Sequence, residues 1–395
     1  MSKLARHTLT HPDGRRLYVY GDLRGALDPQ RDAAAPHPPP ELHQRFDALT
    51  GAWVAISPAR NTRPQDGVAA DAAGPACPLC PGGLEVPFSY QAAVFENRFP
   101  TFVAHPPPVP DDALLAPSLG RCEVVLYTES HHGSLATLPP EEVARVVAVW
   151  RDRSADLWAA PEHALVMAFE NRGETVGATL DHPHGQIYAF ADIPPLIAHR
   201  VEVLARHRAT RGDCLTCQVL ARDDKAPERT IAANTSFSVT VPFAARWSFE
   251  VDVRARRHGL RRLGDLEPGE RSDLAAALAE VVARYDGLYG FALSYLMVIM
   301  EAPAETPDWH LSVAFLPPHR SARKLKVRAS VETATGVFIN DTVPEASAAR
   351  LAGVAVVPIP PVAFEVPEIA RVTEPTSAAT DTAESAAEGG GERSR

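Results

Sequence analysis

The chain has 395 residues, of which 45% are hydrophobic and 22% charged, and a formal net charge of -10 at pH 7. That length suffices for a sizeable core in two domains or one duplicated unit, with the composition of an ordinary globular protein. An acidic total argues against non-specific nucleic-acid binding, no apolar run reaches membrane-spanning length, and no charged-then-apolar leader is visible, so the expected location is the cytoplasm.

In chain order, residues 1–40 read as a hairpin and a linker. Asp13-Gly14 lies between THP and the strand-like RRLYVYGDL, and a Pro- and Ala-rich stretch runs from about Asp28 to Pro40. A first series follows: Cys77-Pro78-Leu79-Cys80, the strand-like CEVVLYTESHH, then the helix LPPEEVARVVAVW, in which Val143, Val146, Val147 and Trp150 share one face. The strand HALVMAFENRG and the segment HPHGQIYAF close it. A second series repeats the order with Cys214-Leu215-Thr216-Cys217, the strand-like WSFEVDV, His258 and the helix PGERSDLAAALAEVVARY, with Leu274, Leu278, Val281, Val282 and Tyr285 on one face. LSYLMVIMEAP and WHLSVAFLPP end it. The expected architecture is therefore α+β, with two tandem halves at 41–200 and 201–372, each an antiparallel sheet with covering helices. Residues 373–395 carry almost nothing apolar and are expected to be disordered.

Two cysteines spaced by two residues, with histidines further along, make a suitable tetrahedral zinc set. Cys77, Cys80, His131 and His182 form one such series, and Cys214, Cys217, His258 and His310 follow in the same order. Four protein donors leave no open position, so such a zinc would be structural. A lone CxxC is equally compatible with a redox pair or two buried thiols, and Ser130-His131-His132 offers two neighbouring candidates.

In His182-x-His184-x-Gln186 the alternation of a strand would project all three side chains from one face. His184 is the candidate nucleophile. A neutral imidazole nitrogen can attack phosphorus, and a hydrogen bond from the other nitrogen to a backbone carbonyl would fix the attacking tautomer. A phosphoryl-histidine would divide one transfer into two displacements with ping-pong kinetics. Gln186 suits a non-bridging phosphate oxygen, and Gly185 would let a phosphate approach the backbone. The second series has His310-x-Ser312-x-Ala314 at this place, so only the first half is expected to be catalytic.

From about Arg45 to Glu345 the chain resembles the galactose-1-phosphate uridylyltransferases, a branch of the histidine-triad superfamily. The resemblance rests on LTGAWVAISPARNTRP, CPLC, VFENRFP, the histidine after CEVVLYTES, FENRGETVGATLDHPHGQIY, WHLSVAFLPP and RSARKLKVRASVE, in that order. It implies two histidine-triad-like halves and, as a step of galactose metabolism, uridylyl transfer between UDP-glucose and galactose 1-phosphate through a uridylyl-His184. It further implies Gln186 on the transferred phosphate and Cys77, Cys80, His131 and His182 around zinc. Arg60 and Arg63 match phosphate-binding positions contributed by the neighbouring subunit of a homodimer with shared active sites. Asn97, Asn171, Gly177, Ala178 and Thr179 match nucleotide-binding positions, and Lys326 and Glu332 match sugar-contacting ones.

The chain departs from some members of the family. Where those bind iron it has Arg200, Met300, Ser312 and Ala314, so no iron site is expected, and Val331 stands where a tyrosine often meets the sugar. Two other readings compete. A nucleotide phosphorylase or phosphoramidate hydrolase of the same superfamily is one, against which Gln186 argues because glutamine cannot readily shuttle a proton. A zinc-stabilised binding protein is the other, and it gives no reason for His184 and Gln186.

Overall fold

The structure is a computed structural model that describes residues 3–22, 38–62, 77–303 and 306–372. Most of the Pro- and Ala-rich linker, Arg63 and the segment from Thr373 lie outside the described residues.

The first elements are β1 (Lys3–Thr10), β2 (Arg16–Tyr20), β3 (His43–Asp47), β4 (Ala52–Ile56), β5 (Ala92–Glu96), β6 (Leu115–Pro117) and β7 (Gly120–Leu126). Then come α1 (Pro140–Trp158), β8 (Leu165–Arg172), β9 (His184–Phe190), α2 (Pro195–Arg211) and α3 (Leu215–Lys225). The remainder comprises β10 (Thr230–Ala233), β11 (Phe237–Thr240), β12 (Val251–Ala255), α4 (Pro268–Tyr289), β13 (Tyr295–Met300), β14 (Ser312–Leu316), α5 (Ser330–Thr335), α6 (Pro344–Ala352) and β15 (Glu368–Arg371). Twelve strands form one sheet in the order β10-β11-β12-β14-β13-β8-β9-β7-β5-β2-β1-β15, and β4-β3-β6 form a small second sheet.

The two series are legible in that order. Reading outward from the β8–β13 junction gives β8, β9, β7, β5 on one side and β13, β14, β12, β11 on the other. The halves are not separate sheets as their sequence suggested. β8 and β13 pair antiparallel from Tyr295↔Arg172 to Met300↔Met167, and this seam fuses them. Both strands are central and, Glu170 apart, their buried residues are mainly apolar, so each satisfies its edge hydrogen bonds on the other. β15 returns to pair in parallel with β1, which joins the two ends of the described chain.

Helix α1 opens with Pro140 and carries Glu141 and Glu142 in its first turn, where a fixed φ and negative charge suit the unpaired N–H groups. Its face of Val143, Val146, Val147 and Trp150 is buried, each such side chain contributing about 1.5–3 kcal/mol relative to exposure. Helix α4 starts at Pro268 with a capping box between Glu267 and Glu270 and stops at Gly290, whose φ of 76° few other residues adopt. The two helices touch each other, α1 resting on β5, β8 and β9 and α4 on β11 and β12. One sheet face is thereby sealed. Among the described residues no helix is long and apolar enough to cross a membrane.

Candidate functional site

The face away from α1 carries the candidate chemistry. On β9, His184, Gln186 and Tyr188 alternate with the buried Gly185, Ile187 and Ala189. Leu126, Val124 and Cys122 of β7 lie opposite them, and Phe169 of β8 lies opposite Gln186. Cross-strand partners share a face, so half-buried Asn171, two residues beyond Phe169, stands on the His184 side.

His182 itself lies just outside the strand. The strand begins at His184, and the chain bends at His182 before Pro183, which has no N–H to donate to a ladder. The bend turns the His182 ring toward Cys77, Cys80 and His131. Their donor atoms all lie within 4.8 Å of one another, and all four residues are buried. His131 is the member of the Ser130-His131-His132 run that joins them; His132 is exposed and packs edge-on against the His131 ring. Cys80 Sγ is 3.4 Å from His131 Nδ1 and 3.5 Å from His182 Nδ1. His182 Nε2–H faces the Thr128 carbonyl at 2.9 Å, and the Tyr90 hydroxyl at 3.0 Å, which directs Nδ1 to the sulfurs. Tyr90 in turn donates to the Leu79 carbonyl inside the CPLC loop. Gly83 closes that loop, since a Cβ there would meet the Cys77 carbonyl oxygen at 2.4 Å. Burial lowers the His182 pKa to about 4, which leaves both lone pair and donor roles to the neutral ring.

The second series assembles too. Cys214, Cys217, His258 and His310 place donor atoms within the same 4.8 Å limit, though Cys217 is half-buried and His258 exposed. His310 Nδ1–H donates to the Ala255 carbonyl at 2.8 Å, so Nε2 faces Cys217 and Cys214 at 3.4 and 3.6 Å. Two thiols and two imidazoles within bonding range of a shared point are a donor set that fits zinc at both places.

His184 itself is held by the backbone before it. Its Nδ1–H donates to the His182 carbonyl at 2.7 Å, leaving the Nε2 lone pair free, and burial lowers its pKa so that the neutral ring prevails. Gln186 stands one step along on the same face.

The remaining candidates divide. Arg60 follows β4 in a short 3-10 turn, Pro58–Thr62, and its Nη1 donates to Thr101 Oγ1 at 3.1 Å and to the Tyr188 hydroxyl at 3.3 Å. It is thus seated against its own chain's β9, roughly 13 Å along the strand from His184. Tyr188 was missed in the sequence, although it continues the His184, Gln186 alternation. Asn97 accepts from the Phe99 N–H at 2.8 Å, a turn-forming role, and lines a cavity of about 330 Å³ with Glu96, Arg121 and Cys122. Gly177, with φ of 80°, Ala178 and Thr179 form the partly exposed loop before His182.

Lys326 and Glu332 are not offered to a ligand. Each is 4% exposed, and they pair with one another at 2.6 Å. Lys326 also donates to the Ile339 carbonyl, while Glu332 accepts from Ile339 N at 3.0 Å and Ala329 N at 3.3 Å. The charged segment around them is no edge strand either, because Glu332 caps the short helix α5.

Comparison with known proteins agrees over most of the chain. Residues 38–194 match the family model of the galactose-1-phosphate uridyl transferase N-terminal domain, and 200–357 that of the C-terminal domain. The galactose-1-phosphate uridylyltransferase of Thermotoga maritima is 37% identical over 318 residues, 78% of this chain and 98% of that protein. The enzyme of that name from Streptomyces lividans is 34% identical over 363 residues, 87% of this chain and 96% of its own length. A solved uridylyltransferase structure covers 79% of this chain and 98% of its own at 28% identity, with a TM-score of 0.71.

Proposed function

Because the chain belongs to the galactose-1-phosphate uridylyltransferase family, a transferase acting on UDP-glucose and galactose 1-phosphate, we propose that the uridylyl group it moves is carried as a covalent adduct on His184. The observation that carries this reading is the 2.7 Å hydrogen bond from His184 Nδ1 to the His182 carbonyl. It presents Nε2 as the lone pair.

In the first displacement Nε2 attacks the α-phosphorus of UDP-glucose, the N–P bond forms, and the bond from phosphorus to the bridging oxygen breaks. Glucose 1-phosphate leaves with that electron pair. No proton need move, because the departing phosphate is already an anion. Attack makes the ring formally cationic, and the charge reaches Nδ1–H, where the carbonyl oxygen of His182 accepts more strongly than before. In the second displacement a phosphate oxygen of galactose 1-phosphate attacks the same phosphorus and Nε2 departs with its pair. Gln186 donates to a non-bridging oxygen in both steps. A glutamine suits a reaction that transfers no proton.

Cys77, Cys80, His131 and His182 would hold Zn²⁺, whose contribution there is structural: four protein donors leave no coordination position for substrate. Because His182 is one of these donors, the group also holds the His182 carbonyl on which His184 leans. Cys214, Cys217, His258 and His310 would hold a second ion. We assign each half to the histidine-triad type, with 41–200 catalytic and 201–372 its degenerate copy. Asn97, Asn171 and the loop Gly177, Ala178 and Thr179 serve the nucleotide, Arg60 and Arg63 the diphosphate, in a cytoplasmic homodimer.

Incubation with UDP-glucose alone, followed by peptide mass spectrometry, tests the adduct. A uridylyl group on His184 that galactose 1-phosphate discharges is the expected result. A reaction that needs both substrates bound together, with no trapped intermediate, would overturn it.

A further inference from the structure

Gly185 separates His184 from Gln186 and faces the core. A methyl group there would lie 2.3 Å from the Tyr127 hydroxyl oxygen and 2.9 Å from the Phe169 carbonyl oxygen. The sequence reading that this glycine makes room for phosphate is therefore displaced: the space it saves is on the opposite face, and a tyrosine hydroxyl fills it.

Tyr127 is held at both ends. Its N–H donates to the Pro183 carbonyl at 3.1 Å, and its hydroxyl donates to Glu170 Oε2 at 3.2 Å. The other oxygen of Glu170 accepts from Tyr295 at 3.1 Å. All three residues are buried, and Tyr295 comes from β13, across the seam between the halves. Burial pushes the Glu170 carboxyl up to about 7, which eases its place in the core because the neutral acid costs less to bury. None of the three faces the substrate side of the sheet.

We propose that Tyr127, held by Glu170, is a positioning residue for uridylyl transfer: its hydroxyl, wedged beneath Gly185, sets the height at which His184 and Gln186 stand above the sheet. The inference rests on His184 as nucleophile. Its physical basis is that the two side chains share one short stretch of backbone, and the one side chain pressed beneath that stretch is Tyr127, beside the Phe169 carbonyl. In-line attack requires near-contact alignment, and a displacement near 1 Å costs roughly 10²-fold in rate. Glu170 prevents the hydroxyl from swinging away, and Tyr295 prevents the carboxyl from doing so.

The test is the single-turnover rate of His184 uridylylation by UDP-glucose, read by intact mass, with UDP-glucose affinity, metal content and melting temperature measured alongside. Tyr127→Phe should slow the reaction about tenfold at unchanged affinity and metal content. Tyr295→Phe takes an equivalent hydrogen bond from the same carboxyl, but β8 separates its strand from β9. It should slow the rate about twofold at most, which separates positioning from general loosening of the core. Gly185→Ala should slow it by roughly two orders of magnitude. Adding Tyr127→Phe to Gly185→Ala should recover part of that loss, since only the Phe169 carbonyl then remains close. Equal effects of the two tyrosine substitutions, a wild-type rate in Tyr127→Phe, or no recovery in the double variant would each overturn the proposal. Absence of any adduct in the unsubstituted chain would overturn the nucleophile assignment itself, and this inference with it.

Discussion

The two halves share a strand order and a metal-donor group, yet they differ in the two side chains that follow the last ligand. After His182 come half-buried His184 and Gln186; after His310 come Ser312 and Ala314, 3% and 6% exposed. The second face is closed by α2, with Ile197 and Leu204 clustered on Leu165, Ala302 and Trp309. Arg200 of that helix lies 4.0 Å over the Trp309 ring, and burial lowers its pKa to about 10. One scaffold thus serves two ends. The Cys/His group with its carbonyl-locked imidazole is a property of the fold, present in both halves, whereas the proposed chemistry belongs to two alternate positions on one strand.

The sharpest break of this comparison is His184→Gly. Loss of the nucleophile should reduce transfer by roughly four orders of magnitude or more, with unchanged metal content by elemental analysis. Loss of metal together with activity would instead make His184 a ligand. The converse graft, Ser312→His with Ala314→Gln, should yield no adduct on residue 312, because that face is covered. Next in size is Gln186→Ala. Removing a donor from the transferred phosphate should cost roughly 10²–10³-fold in kcat with a smaller change in KM, measured by steady-state kinetics.

Metal removal should separate the halves by rate. The first donor group is wholly buried, while the second has an exposed His258 and a half-buried Cys217. A chelator should therefore withdraw about one ion per chain quickly with most activity retained, and a second slowly with activity lost, if both groups are loaded. Cys217→Ser should keep most of the activity, whereas Cys80→Ser should lose it by displacing the His182 carbonyl. Simultaneous loss of both ions would erase the distinction.

Much of this was legible in the sequence because periodicity records which way a side chain faces. The stripe on α1, the stripe on α4 and the alternation of His184 with Gln186 all survive in the structure. What was not legible depends on contacts between segments far apart in the chain. The strand begins only at His184, after Pro183, and it is the buried Cys77, Cys80 and His131 that show where the His182 ring goes. The β8–β13 seam was invisible, since edge pairing leaves no mark beyond apolar composition. Gly185 was misread because sequence shows that a Cβ is missing and cannot show on which side it would collide. The seat of Arg60 on Tyr188 was likewise not legible, because it depends on where β4 ends.

The smallest expected effect concerns Lys326 and Glu332, which sequence likeness made sugar contacts and the structure makes a latch. The hydrogen bond from Lys326 comes first among the causes that lower the Glu332 pKa to about 2, followed by the Ile339 N–H. A carboxyl whose folded pKa lies below its ordinary 4.5 stabilises the fold above that value, and the contribution fades as pH falls toward about 2. Glu332→Gln should therefore melt below the wild type at pH 7, and the two melting curves should converge between about pH 4.5 and about 2. If the pair is only a latch, KM for galactose 1-phosphate should stay within about twofold, since losing an internal hydrogen bond removes no substrate contact. A large rise in KM with an unchanged melting temperature would show instead that the pair opens to meet the sugar, and that the second half contributes to the chemistry of the first.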